Sequence, residues 1–298
     1  LGHFRSSLLV SAVALSVLSS PANAVTEDVV KAYWIEHSDP EHVLEPELTH
    51  KLMALDDSQW EQFKTIVQSP KIIKEMHPDG LSHVIDALGN LPPEKLFHAN
   101  FVSTAQSLIA PRMDGPLRAV VISALGSVDS SKWSEFVTAV NLLITSDMEV
   151  YHCAHQVIGV LAKVAPEKWE QFRKIAQSLM TRDMVYYHRG NVISILAQVA
   201  PEEWEQFQTV AQSLLQKTIN SENCYGQDSY FYLIKGLSKR KPEKWEHYLS
   251  ISNLLTLGKD RWIDQRILSS LVDIPDEILF HEKFVSTVQD FIARKAMT

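Results

Sequence analysis

The chain has 298 residues, of which 45% are hydrophobic and 21% are charged, a composition typical of a globular protein with a large core. It carries 28 Lys and Arg against 36 Asp and Glu, which gives a formal net charge of −8 at pH 7. No stretch rich in Lys and Arg stands out. The composition therefore argues against general disorder and against nucleic acid as a partner.

The first 24 residues have the pattern of a secretory signal peptide. Arg5 supplies a positive charge, residues 8–18 are an apolar and serine run, and Ala22 and Ala24 are the small residues of a cleavage site. This run is much shorter than the ~20 residues that span a bilayer, which argues against an uncleaved anchor. We expect cleavage after Ala24, an exported protein that is periplasmic or secreted, and no transmembrane segment in the mature chain.

Residues 25–54 are predicted to form an N-terminal helical cap. They precede the first copy of the repeat described next. His37, Asp39, Glu41 and His42 cluster there, but their setting around a Ser-Asp-Pro sequence indicates a turn rather than a site.

Residues 55–298 repeat themselves. Trp133, Trp169, Trp204 and Trp245 lie 36, 35 and 41 residues apart, and the last three occur in Pro-Glu-Lys/Glu-Trp-Glu sequences. A fixed period of this length is typical of stacked supersecondary units. The seven sequence units, the last incomplete, are 55–91, 92–128, 129–164, 165–199, 200–240, 241–274 and 275–298.

Units two and seven open differently from the others. Residues 97–104 read Phe-His-Ala-Asn-Phe-Val-Ser-Thr, and residues 280–287 read Phe-His-Glu-Lys-Phe-Val-Ser-Thr. Similarity over eight residues at such a separation supports the same repeat.

Each unit is predicted to contain two helices. In unit four, Trp169, Phe172 and Leu179 form an apolar stripe at helical spacing, and a second apolar stretch runs through residues 192–199. These second stretches are rich in β-branched residues, so strands are an alternative, but apolar pairs three and four apart favour helices.

The helix pairs resemble HEAT-type repeats, most closely at residues 116–126, Pro-Leu-Arg-Ala-Val-Val-Ile-Ser-Ala-Leu-Gly. There an arginine opens the second helix and Ala-Leu-Gly closes it, as in that family. An Asp six positions before an Arg, another feature of the family, occurs as Asp183/Arg189 and Asp260/Arg266. The resemblance implies an all-α fold, a right-handed αα-hairpin solenoid of about seven HEAT-like repeats.

Each regular unit carries a Trp followed three residues later by another aromatic residue. These pairs are expected to pack between consecutive units, since no unit buries its apolar face alone, and a ladder for stacking a ligand is the alternative. The pairs are Trp60/Phe63, Trp133/Phe136, Trp169/Phe172, Trp204/Phe207 and Trp245/Tyr248.

Positions where the units differ are better leads to a binding site. Near the start of the second helices, units three to six carry unlike aromatic and His residues, and unit five has an insertion at 220–226. The candidate binding residues are Tyr151, His152, His155, Tyr186, Tyr187, His188, Tyr225, Tyr230 and Trp262. They form either a binding edge or a set of rings that close the seam between the two helix layers.

His152 and His155 share one helix face, and His188 is the nearest candidate for a third metal ligand. A solvated or packed pair of histidines is the alternative, and we predict no metal site, cofactor or catalytic residue. Cys153 and Cys224 fall two units apart, too far for a disulfide, and are predicted to be free thiols.

These observations predict an exported, non-catalytic scaffold that uses one solenoid surface to bind a protein or peptide. The alternative is an exported hydrolase with an acidic or histidine cleft on the same helical hairpins. The two differ in convergence: an enzyme gathers ionisable groups from several units into one pocket, whereas a scaffold has an extended surface.

Overall fold

The structure is a computed structural model that describes residues 25–38, 42–74, 76, 80–110, 113–144, 150–180, 186–219, 226–256 and 261–295. Within these ranges, side chains are described except at 150–155, 186–187, 215–219, 226–229, 255–256, 261–265 and 291–295. Most of the described residues lie in helices, and the described ranges contain no strand. The second apolar stretch of each unit is therefore a helix, and the strand alternative is wrong.

The helices follow one another along the whole described chain. In the first half they are α1 (Glu27–His37), α2 (Pro46–Met53), α3 (Asp57–Val67), α4 (Pro70–Ile73), α5 (Leu81–Gly89), α6 (Pro93–Leu96), α7 (Phe101–Leu108), α8 (Gly115–Ser127), α9 (Trp133–Leu143) and α10 (Val150–Leu161). In the second half they are α11 (Trp169–Leu179), α12 (Tyr186–Leu196), α13 (Trp204–Ile219), α14 (Gly226–Ser238), α15 (Pro242–Thr256), α16 (Arg261–Leu271), α17 (Asp276–Leu279) and α18 (Phe284–Lys295). Short 3₁₀ turns lead into α9, α11 and α13.

Polar side chains and prolines fix where several helices begin. At α3 the Asp56 carboxylate accepts from the Gln59 N–H at 2.8 Å, and the Gln59 side chain accepts from the Asp56 N–H at 3.1 Å. This reciprocal capping box satisfies two amide groups that have no partner within the helix. Asp114 caps α8 in a similar way, accepting from the Leu117 N–H at 3.0 Å.

The helices alternate between two rows. One row runs α7, α9, α11, α13, α15 and α18, and the other runs α5, α8, α10, α12, α14 and α16, with each helix contacting the next in its row. Consecutive helices such as α9 and α10 also contact each other across the rows. At the N-terminal end, α1 and α2 pack on each other and on α5. The result is a helical repeat-like fold.

From unit two to unit six, aromatic residues pack between consecutive units as predicted, whereas Trp60 and Phe63 of unit one pack on Tyr33 of α1. An aromatic ring of one unit meets the Trp of the next, and the Trp side chains are all nearly buried. The ring-centroid distances are 6.0 Å for Phe101–Trp133, 5.4 Å for Phe136–Trp169, 5.2 Å for Phe172–Trp204 and 5.5 Å for Phe207–Trp245.

The indole N–H groups serve a second purpose at the helix ends. Trp204 Nε1 donates to the carbonyl oxygens of Leu196 and Val199, at 3.1 and 2.9 Å. These carbonyls lie at and just after the C-terminus of α12, where the last turn of a helix lacks internal donors. Trp133, Trp169 and Trp245 make equivalent bonds. The recurrent Trp therefore both fills the junction and caps the preceding helix.

The last junction lacks a Trp and uses an arginine instead. Arg240 Nη2 donates to Leu271 O at 2.9 Å and to Ile274 O at 3.1 Å, the carbonyls that a Trp would otherwise satisfy. Its guanidinium lies 4.3 Å from the ring centre of Tyr248. Burial raises the pKa of Tyr248 to about 12, so the phenol stays neutral beside the cation.

Residues 1–24, the expected signal peptide, lie outside the described residues. So do Cys224 and the side chain of Cys153, on which the free-thiol prediction rests. In the part of the chain that is described, no helix is both long enough and apolar enough to cross a membrane.

Candidate functional site

Most of the residues predicted from the sequence to form a binding edge fall where side chains are not described. Tyr151, His152 and His155 belong to α10, Tyr186 and Tyr187 to α12, and Trp262 to α16. Tyr225 lies outside the described residues. The edge therefore stays a prediction for these seven residues.

His188 and Tyr230 are described, and both make packing contacts. The half-buried His188 ring lies 5.5 Å from Phe231 across the contact between α12 and α14. Tyr230 is 1% exposed, and burial raises the pKa of its phenol. These contacts are the kind expected if the rings close the seam between helix layers. Among residues with described side chains, no group of three or more His, Cys, Asp or Glu is placed to hold a metal.

The junction between α11 and α13 is closed at its surface by side chains of both helices. Gln171 Nε2 donates to Glu205 Oε1 at 3.3 Å, and Gln208 Nε2 donates to Ser178 Oγ at 2.6 Å. These two polar bridges span the space between the helices, outside the buried aromatic pair.

The junction between α7 and α9 has shorter or apolar residues at three of the same four positions. Counted from the packed aromatic residues, Asn100 and Ser134 replace the first bridging pair; in the second, Val137 replaces Gln208 and Ser107 matches Ser178. Asn is one methylene shorter than Gln, Ser is shorter than Glu, and Val has no amide to donate. The space therefore stays open as a cavity of about 650 Å³, called here the hydroxyl groove.

Hydroxyl groups of α7 line one wall of the hydroxyl groove. Ser103 and Thr104 donate to the carbonyl oxygen of Asn100 at 2.9 and 2.7 Å, and Ser107 donates to Thr104 O at 2.6 Å. Because each hydroxyl proton is used within the helix, the oxygen lone pairs remain as acceptors for a ligand.

The opposite wall comes from α9 and the turn before it. Thr138 donates to Ser134 O at 2.9 Å. Ser131 donates to Asp129 Oδ1 through both its hydroxyl and its backbone N–H, at 2.7 and 2.8 Å. These bonds lower the pKa of Asp129 below its usual value, the side-chain bond contributing most. This wall therefore also presents hydroxyl oxygens with their protons already used.

His98 lies at the border of the hydroxyl groove and is held in one orientation. Its Nδ1 accepts from the Asn100 N–H at 3.2 Å, and its ring meets Trp133 edge-on at 5.1 Å. An accepting Nδ1 places the ring proton on Nε2, which makes that nitrogen a donor. His98 thus adds a donor to the acceptors that the bonded hydroxyls of both walls provide.

A second groove lies on the other side of α7, beside α3, and has a volume of about 520 Å³. Leu96, Phe97 and Ile66 contribute apolar surface to it, and Gln62 and Thr65 contribute polar groups. We call it the apolar-floored groove. His98 lines both grooves, so they adjoin each other along the first row.

The apolar-floored groove has the same cause as the hydroxyl groove. In the variant unit two, Ala99 and Val102 occupy the positions that Glu205 and Gln208 occupy in unit five. A methyl group and an isopropyl group cannot form the polar bridges. Departures from the residues of the α11–α13 junction thus occur at both grooves beside α7.

A cluster of polar and aromatic side chains, separate from the two grooves, joins the N-terminal segment to α5. His42 Nε2 lies 2.7 Å from Asp86 Oδ2, and the two side chains are 29% and 28% exposed. The His83 ring lies 4.9 Å from that of His42, and Trp34 Nε1 donates to the His42 carbonyl oxygen at 3.1 Å. The cluster ties the segment before α2 to α5 and leaves an imidazole partly accessible.

The sequence reasoning missed the hydroxyl groove, although a signal was present. Unit three has Ser130, Ser131 and Ser134 where units four, five and six have Pro, Glu and Glu. Three departures from one repeat pattern, all lining one cavity, mark this junction as different.

Comparison of the chain with protein-family models, curated proteins and solved structures found no match.

Proposed function

We propose that this protein is an exported, non-catalytic scaffold that binds a protein or peptide partner rather than nucleic acid. In this proposal, residues 25–54 cap a right-handed solenoid of about seven HEAT-like repeats. The observation that carries the proposal is the apolar-floored groove between α3 and α7, where apolar and amide side chains line one open surface.

The apolar-floored groove is the proposed peptide site. Leu96 is 2% exposed and Phe97 is half-buried, so they form a floor on which an apolar side chain of a peptide can pack. Gln62 and Thr65 stand on α3 beside this floor. A glutamine amide both donates and accepts, which matches the N–H and C=O groups of a peptide backbone. A short segment with one or two apolar anchors fits this combination.

Cross-linking from matched positions tests the proposal. Thr65 and Thr209 are each the fifth residue after a Trp. Each donates to the carbonyl oxygen of the Glu that directly follows that Trp, at 2.8 and 3.0 Å. We propose to place p-benzoylphenylalanine at one or the other and to use peptides selected from a random phage-displayed library. Peptides should cross-link from position 65 and not from position 209. Equal labelling at both positions, or no selected peptide, would reject the site.

Closing the groove provides a second test. Ala99→Glu with Val102→Gln restores the residues that occur in unit five, so the fold should tolerate them. The selected peptides should then lose most of their affinity while the melting temperature stays close to that of the wild type. Unchanged affinity would show that the peptides bind elsewhere.

The second candidate function is an exported hydrolase, and the His42–Asp86 pair favours it. A carboxylate that orients an imidazole is the arrangement that prepares a general base. Hydrolysis of p-nitrophenyl acetate that is lost in both His42→Gln and Asp86→Asn would support this function. Equal background hydrolysis by the wild type and both variants would exclude it for this ester.

A further inference from the structure

We propose that the hydroxyl groove is a binding site for an uncharged sugar, a neutral oligosaccharide or the glycan of a larger molecule. The proposal concerns a different cavity from the peptide site and does not depend on it.

The hydrogen-bonding capacity of the groove selects for a ligand rich in donors. Ser103, Thr104, Ser107 and Thr138 all donate to carbonyl oxygens of their own helices. Each retains lone pairs that accept from a ligand. Sugars carry several hydroxyl donors on one ring, whereas an extended peptide offers one backbone N–H about every 3.3 Å, with alternate groups facing opposite ways. Four acceptors around one cavity therefore match a sugar better.

The charge of the groove selects for a neutral ligand. Among the described residues that line it, none is Asp, Glu, Lys or Arg. Charged side chains next to lining residues in the sequence already have partners: Lys132 pairs with Glu135 at 2.8 Å, and Asp129 accepts two bonds from Ser131. A charged ligand would lose its hydration without finding an opposite charge, which is costly. An uncharged polyol avoids that penalty.

Size and apolar surface fit the same ligand. The volume of about 650 Å³ lies within the usual range for small-molecule sites. Val137 also lines the groove, and it offers apolar surface for the C–H groups of a sugar ring. The His98 Nε2 donor can pair with a ring or hydroxyl oxygen. The lining therefore addresses both the polar and the apolar parts of a sugar.

The test uses the full chain and three uncharged probes: maltotriose, cellotriose and chitotriose. Binding is measured by isothermal titration calorimetry and by saturation-transfer NMR. We expect at least one probe to bind saturably, and Ser134→Glu to weaken it by about tenfold or more, since the carboxylate fills and charges the groove. Glu follows Trp in the regular units, so the variant should fold normally.

Matched hydroxyl variants separate a ligand site from a general effect on the helices. Ser103 and Ser286 make the same bond to the carbonyl three residues earlier, at 2.9 and 3.1 Å. Thr138 and Thr209 form a second matched pair, because each donates to the carbonyl four residues earlier, at 2.9 and 3.0 Å. Ser103→Ala and Thr138→Val should each weaken binding about three- to tenfold, while Ser286→Ala and Thr209→Val should leave it unchanged. The proposal is overturned if no probe binds saturably, or if all four variants behave alike.

Discussion

The junctions α11–α13 and α7–α9 share their interior and differ at their surface. In both, a Phe packs on the Trp of the next unit, at 5.2 Å for Phe172–Trp204 and 6.0 Å for Phe101–Trp133. At the surface, two polar bridges close the first junction, whereas the second is open. The stacking of helices is thus set by the buried aromatic pairs, and the outer polar positions are free to differ.

The energies of the two layers explain this division. Burying a large aromatic side chain contributes several kcal/mol, whereas an exposed polar bridge contributes about 0–1 kcal/mol. A unit can lose its bridges with little loss of stability, whereas removing a buried Trp is expected to cost several kcal/mol. A groove on this fold is therefore expected where the bridging residues are missing, as around α7.

The largest expected effect follows from removing a buried Trp. Trp133→Ala and Trp204→Ala should each lower the free energy of unfolding by roughly 3–5 kcal/mol, measured by urea denaturation. Each change leaves a cavity and deprives the preceding helix of a donor to Leu125 or Leu196. A loss below about 1 kcal/mol in either variant would contradict the shared role of the two interiors.

A smaller effect is expected when the closed junction is opened. The triple change Gln171→Asn, Glu205→Ser and Gln208→Val removes both bridges and copies the α7–α9 surface. We expect a loss of about 1 kcal/mol or less, measured by the same denaturation, because both bridges are exposed or only partly buried. A loss comparable to that of Trp204→Ala would show that the surface layer also sets the stacking.

The reverse exchange should close the hydroxyl groove. Asn100→Gln, Ser134→Glu and Val137→Gln rebuild both bridges between α7 and α9. The melting temperature should stay within a few degrees of the wild type or rise slightly, since each bridge adds at most about 1 kcal/mol. Hydrogen exchange of the α7 and α9 amides reports any local change. A large drop in melting temperature would mean that the open geometry is needed for folding.

Much of the fold followed from residues that act within one unit. The spacing of Trp169, Phe172 and Leu179 predicts α11, and burial of the Trp and Phe follows because no hairpin covers its own apolar face. The turn before the helix does not follow from this spacing: a turn of 3₁₀ helix occupies Pro166–Lys168, directly before α11. Such terminal turns arise because the first N–H groups have no fixed partner.

The grooves were harder to predict because they depend on pairs of residues from different units. In the sequence, Ser134 is an ordinary exposed helix residue. It matters because Asn100 lies at the matched position of the neighbouring helix, and both side chains are shorter than the Gln and Glu that form a bridge between α11 and α13. An alignment of the units shows that Ser134 replaces a Glu, but it does not show which residue of the neighbouring helix faces it. Knowing that α7 lies beside α9 supplies the missing step.

The smallest effect concerns the turn that leads into α9, and it tests whether that wall of the hydroxyl groove is ordered. Two bonds from Ser131, the side-chain bond first, hold the pKa of Asp129 below its usual value. A depressed carboxyl pKa stabilises the fold above the unfolded pKa, and that contribution is lost as the pH falls through the folded pKa. Ser131→Ala should raise the pKa of Asp129, measured as the midpoint of its carbon-13 NMR titration. The rise should be partial, because the bond from the Ser131 backbone N–H remains. The midpoint of Asp273, which is lowered mainly by Lys239, should not move. An unchanged Asp129 midpoint would mean that the Ser131 hydroxyl is not held by the carboxylate, and its proton would then be available to a ligand.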